Sequence, residues 1–100
     1  MEVVLQYFDG CPNWVEADKL LREALAQVGS SGIIVKHQKV ETFDQAVAAG
    51  FIGSPTILID GRDPFAVVGA QAGMACRVYS TPEGLSGSPT LEQLVAVLLR

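Results

Sequence analysis

Cys11 is the residue of this chain best placed to do chemistry. It comes after the apolar run Val3-Val4-Leu5-Gln6-Tyr7-Phe8 and the turn pair Asp9-Gly10. It precedes Pro12, beyond which Ala17, Leu20, Leu21, Ala24, Leu25 and Val28 recur at offsets of three and four. That pattern sets a cysteine between the end of a strand and the first turn of a helix. Unpaired N–H groups and the positive end of the helix dipole stabilise an anion there, so a thiolate, and with it a nucleophilic sulfur near neutral pH, is expected. The competing reading is a buried, inert cysteine, because lone thiols commonly behave as small apolar side chains. Asp9, two residues earlier, has two uses open to it: relaying a proton, or capping the helix. His37 is the only histidine and lies between Lys36 and Lys39, a solvated setting. Two cysteines and one histidine cannot complete a tetrahedral zinc set without a carboxylate, so neither a metal nor another cofactor is expected. The sequence holds no G-x-G-x-x-G, no Walker loop and no G-x-S-x-G, which leaves nucleotide-binding and serine-hydrolase readings without support.

The elements that must position Cys11 follow from periodicity and punctuation. Val3 to Phe8 reads as an interior strand covered on both faces. The first helix runs from about Pro12 to Val28, with Pro12 suited to the opening turn and Gly29 to the left-handed position after the end. Ile33 to Val40 reads as a second strand, its polar middle suiting a sheet edge. Thr42-Phe43-Asp44-Gln45 has capping-box spacing and starts a short second helix that ends at Gly50. Thr56 to Gly61 is a third strand closing in an Asp-Gly turn. From Arg62 to Gly73 periodicity is lost, and a loop longer than usual is expected. Cys76-Arg77-Val78-Tyr79 reads as a fourth strand. Ser80 to Pro89 is turn-rich, and Thr90 repeats the capping-box spacing before Leu91, Leu94, Val95, Leu98 and Leu99. The order is β-α-β-α-β-β-α: an α/β fold with a mixed four-stranded sheet and helices on both faces.

At 100 residues the chain has interior for one domain, 1–100. With 49% hydrophobic and 18% charged residues it is the reverse of a disordered composition. Its longest apolar run, Leu94 to Leu99, falls far short of the roughly 20 residues that span a bilayer. Seven basic against eleven acidic residues give a net charge of −4 without a basic cluster, so neither nucleic acid nor an anionic membrane is an expected partner. Two cysteines are too few for the disulfide framework of a small secreted protein. No secretory signal is visible at Met1-Glu2-Val3-Val4-Leu5, and a cytoplasmic location is the expectation. Oligomeric state is not legible.

Two segments carry a resemblance to the thioredoxin-like superfamily. Phe8-Asp9-Gly10-Cys11-Pro12-Asn13-Trp14 is similar to its redox-site segment, and Gly53-Ser54-Pro55-Thr56-Ile57-Leu58-Ile59-Asp60-Gly61 is similar to its cis-proline segment. The element order agrees over nearly the whole chain. The resemblance implies that Pro55 is cis and lies beside Cys11, and that Ser54 offers main-chain contact to an extended thiol substrate. The departure is Trp14, which stands where a C-x-x-C site has its second cysteine. What remains resembles a monothiol branch, in which Cys11 attacks mixed disulfides of a low-molecular-weight thiol or a protein disulfide. Trp14 shields the sulfur or stacks on a ligand, or else packs at the first helical turn. Cys76 either replaces the missing resolving thiol, which requires Cα atoms within about 7 Å, or is simply buried at a strand start.

Two other functions fit the same residues. A groove around Cys11, Trp14 and Pro55 could bind a peptide or small molecule without redox chemistry. A weaker resemblance, to short proteins grouped with alkylmercury lyases, implies a soft-metal thiol site built from Cys11, Cys76 and an aspartate, Asp9 or Asp63. As a residue before Pro64, Asp63 also suits an ordinary turn.

Overall fold

A computed structural model describes all residues from Met1 to Arg100. The elements are β1 (Val3–Tyr7), α1 (Asn13–Gln27), β2 (Val35–Lys39), α2 (Phe43–Ala49), β3 (Thr56–Ile59), β4 (Tyr79–Thr81), β5 (Gly84–Ser86) and α3 (Leu91–Leu98). β1 is the central strand of a three-stranded mixed sheet. It pairs in parallel with β2, Val3 opposite Val35, and antiparallel with β3, Val3 opposite Ile59. β2 lies at the edge, and all its residues after Val35 are exposed. Their polar and charged side chains suit a strand whose outer edge is unpaired.

The main core joins Val3 and Leu5 of β1, Val35, Ile57 and the apolar stripe of α1 (Ala17, Leu21, Ala24, Leu25) to Leu94 and Leu98 of α3. A smaller cluster, Val40, Ala46 and Phe51, packs with Phe8 and Met74. The helix ends follow from local chemistry. Thr42 accepts a bond from the Gln45 amide and Gly50 closes α2 at φ 65°. At α3 both bonds of the capping box form, Thr90 to Gln93 and back. No helix is long and apolar enough to cross a membrane.

The expected single sheet of four strands is not what forms. The only β-type pairing of the segment Cys76-Arg77-Val78 is an isolated parallel bridge between Ser54 and Cys76, and strand structure resumes at Tyr79 as a hairpin with β5. The reason lies at the start of β3. Pro55 has no N–H to give a ladder, its carbonyl accepts the Tyr79 hydroxyl, and the Thr56 hydroxyl turns back to the Gly53 carbonyl. The hairpin was hidden inside the turn-rich stretch after Ser80. Its turn is fastened by Thr81, whose hydroxyl donates to the Gly84 carbonyl and accepts from the Glu83 amide.

Candidate functional site

Cys11 precedes α1 as expected, with its amide donating to the Phe8 carbonyl at 3.3 Å. Pro12 is the N-cap, and no side chain caps the helix. Asp9 therefore does not cap α1. Its carboxylate lies 2.7 Å from Lys39 Nζ, and this hydrogen bond and charge raise the Lys39 pKa above its ordinary value. Cys11 itself has no accessible surface.

Cys11 and Cys76 are joined as a disulfide across 65 residues of sequence, with Cα atoms 5.6 Å apart. Cys76 is thus neither free nor buried at a strand start. It is exposed, along with Ala75 and Val78, while Arg77 and Tyr79 turn inward. Both partners of the bond are fixed by the segment before β3. The Ser54–Pro55 bond is cis. Ser54 is fully buried, its amide donates to the Ala75 carbonyl at 2.9 Å, and its carbonyl accepts from the Arg77 amide at 2.8 Å. Its hydroxyl accepts from the Phe8 amide at 3.3 Å, and its carbonyl lies 3.6 Å from Cys11 Sγ. The main-chain groups that an extended substrate was expected to meet at Ser54 are therefore held by the chain's own residues 75 and 77. Gly53 permits this closeness. A Cβ there would sit 3.1 Å from the Ala75 carbonyl oxygen and 3.0 Å from Arg77 Cβ, at a φ of +138° that side-chain-bearing residues rarely adopt.

Arg77 anchors the other side of the segment. It is 6% exposed, and its guanidinium reaches Asp63 at 2.7 Å, the Thr56 hydroxyl at 3.2 Å and the Phe65 carbonyl. Asp63 also accepts from the Phe65 amide at 2.8 Å. These bonds compensate the cost of burying the charge, and they tie the long loop after β3 to the strand that follows Cys76. Tyr79 lies beneath the guanidinium, 4.5 Å from ring centroid to Cζ, with Phe65 edge-on. Burial pushes its phenol pKa well above the ordinary value, so it stays a neutral donor to the Pro55 carbonyl.

Trp14 packs rather than leaving its ring free. It stacks on Tyr7 with centroids 4.3 Å apart and meets the edge of His37. His37 is not simply solvated: Asp18, which also pairs with Arg22, lies 2.8 Å from its Nε2. Neither aspartate of the soft-metal reading is unengaged, since Asp9 holds Lys39 and Asp63 holds Arg77. No three His, Cys, Asp or Glu side chains gather as a metal-binding set. The clefts lined by Arg22, Leu25 and Ile33, and by Asp60, Arg62 and Arg100, include none of Cys11, Trp14, Ser54, Pro55 and Cys76.

Sequence reasoning passed over Arg77 and Tyr79. The available signal was alternation in Cys76-Arg77-Val78-Tyr79, which puts Arg77 and Tyr79 on one face. An inward arginine also requires a carboxylate, and Asp63 in the irregular stretch was a candidate for it. Comparison with protein-family models, curated proteins and solved structures gives no match to this chain.

Proposed function

We propose that this chain is a thioredoxin-like thiol-disulfide oxidoreductase whose redox couple is Cys11 and Cys76, exchanging with mixed disulfides of low-molecular-weight thiols or with protein disulfides. The observation that carries the reading is the pairing itself. A cysteine at the start of a helix that favours its thiolate is bonded to an exposed cysteine 65 residues away, held at 5.6 Å between Cα atoms by Ser54. Cys76 thereby supplies the second thiol that Trp14 displaces from the C-x-x-C position. A two-cysteine cycle replaces the monothiol route expected from the first segment alone. In the cycle, two thiols of the protein give two electrons to a substrate disulfide and end as the Cys11–Cys76 bond, and two molecules of a low-molecular-weight thiol, leaving as their own disulfide, reverse the change. The binding-module reading gains nothing from the geometry, because the main-chain groups of Ser54 are already paired. In the soft-metal reading both candidate aspartates, Asp9 and Asp63, are already bound to a cation.

The test is turnover of a glutathionylated peptide with glutathione as the thiol donor. Reduced protein is expected to accelerate release of the peptide thiol, and the Cys11→Ser/Cys76→Ser double variant is expected to leave the uncatalysed rate. Equal rates for the wild type and the double variant, with both shown to be folded by circular dichroism, would rule the proposal out.

A further inference from the structure

Exchange needs a first sulfur, and the geometry points to Cys76 rather than Cys11. We infer that an incoming thiolate attacks Cys76 Sγ and expels Cys11 as the leaving thiolate, so that the external adduct forms at Cys76 and Cys11 resolves it. This assignment rests on the redox reading above and reverses the order suggested by the helix-start position of Cys11.

Attack on a disulfide runs along the S–S axis, from the side of the attacked sulfur that faces away from its partner. For Cys11 that approach leads through the protein, because the residue has no accessible surface and the Ser54 carbonyl stands 3.6 Å from its sulfur. Cys76 is exposed, with exposed Ala75 before it and Val78, 57% exposed, two residues after. The leaving group favours the same direction. Expulsion is faster for the thiol with the lower pKa, and Cys11 stands just before the N-terminus of α1, where unpaired amides and the helix dipole favour a thiolate, whereas Cys76 lies outside any helix.

The electrons balance as follows. An external thiolate bonds to Cys76 Sγ, the Cys11–Cys76 bond breaks, and its electron pair stays on Cys11. A second external thiolate then attacks the outer sulfur of the adduct and leaves as the external disulfide, with Cys76 as thiolate. In the opposite direction the Cys76 thiolate takes one sulfur of a substrate disulfide and releases the other half as a thiol. Cys11 thiolate next attacks Cys76 Sγ, re-forming the pair and releasing the second half. The two main-chain bonds between Ser54 and residues 75 and 77 keep Cys76 within reach throughout.

The experiment uses the oxidised wild type, mixed with limiting reduced glutathione, quenched in acid during the first turnover, alkylated and mapped by mass spectrometry. A glutathione adduct at Cys76 with alkylated Cys11 is the expected species. A second arm treats the single variants with oxidised glutathione. Cys11→Ser is expected to form its adduct about tenfold faster or more than Cys76→Ser, because a buried sulfur reacts only through local opening. An adduct at Cys11 in the wild type, or equal rates in the variants, overturns the assignment and leaves the redox pair standing. No adduct at either cysteine overturns both.

Discussion

Opening the Cys11–Cys76 bond has a stability cost that the chain topology sets. The bond closes a loop of 65 residues. Removing it frees the unfolded chain by an entropy that, for a loop of that size, corresponds to about 4.3 kcal/mol at 25 °C. For a domain this small that is a shift in melting temperature of roughly 15–30 °C. By the same thermodynamic cycle, folding favours the disulfide over the dithiol by about a thousandfold relative to the unfolded chain. The assay is urea unfolding of the oxidised protein beside the Cys11→Ala/Cys76→Ala double variant, followed by circular dichroism. The oxidised form is expected to be more stable by about 3–5 kcal/mol. A difference below about 1 kcal/mol would refute the reasoning: it would mean that the loop is not closed in the unfolded chain, or that the native state gives back what closure contributes.

Other parts of the site make separate predictions. Arg77→Met leaves the half-buried Asp63 without its cation and is expected to cost about 1–3 kcal/mol in urea unfolding, part of which the additional change Asp63→Asn restores. Gly53→Ala forces a Cβ against the Ala75 carbonyl and Arg77, so re-formation of the disulfide after reduction, followed by loss of free thiol, is expected to slow. The loss of stability there is about 1–3 kcal/mol. Tyr79, whose phenol pKa is raised in the fold by burial, favours folding below the unfolded pKa, and that contribution is lost as pH rises above it. An alkaline titration by ultraviolet absorbance, with Tyr79→Phe as the reference, is therefore expected to show Tyr79 ionising only as the chain unfolds. Ionisation of Tyr79 in the native state would contradict its burial.

The parts of the fold governed by local rules were legible in the sequence. The stripe from Ala17 to Leu25, the caps at Thr42 and Thr90, and the polar edge strand at Lys36 to Lys39 need only neighbours three or four residues away. What could not be read depends on contacts across many residues. Cys76 pairs with Cys11 because Ser54 holds residues 75 and 77 in place, and neither spacing nor composition encodes that contact. The misplaced fourth strand has the same origin: Pro55 interrupts the ladder at β3, so Tyr79 turns to Gly84–Ser86 instead. Asp9 offered a helix cap in sequence, but Lys39 at the end of the adjacent strand is its partner in the fold. The alternation at Arg77 and Tyr79 was visible, yet an arginine is read as outward until its carboxylate is found.

The central claim is that Cys11 and Cys76 form one reversible redox couple in a fold that persists in both states. Equilibration of the native protein across a series of reduced-to-oxidised glutathione ratios, with free thiols counted by alkylation and mass spectrometry, tests it most directly. The account predicts a single two-electron transition in which both cysteines change together, reached from the oxidised and the reduced side alike, with the circular dichroism of the folded chain preserved. Cysteines that titrate independently, or a bond that opens only when the chain unfolds, would contradict it.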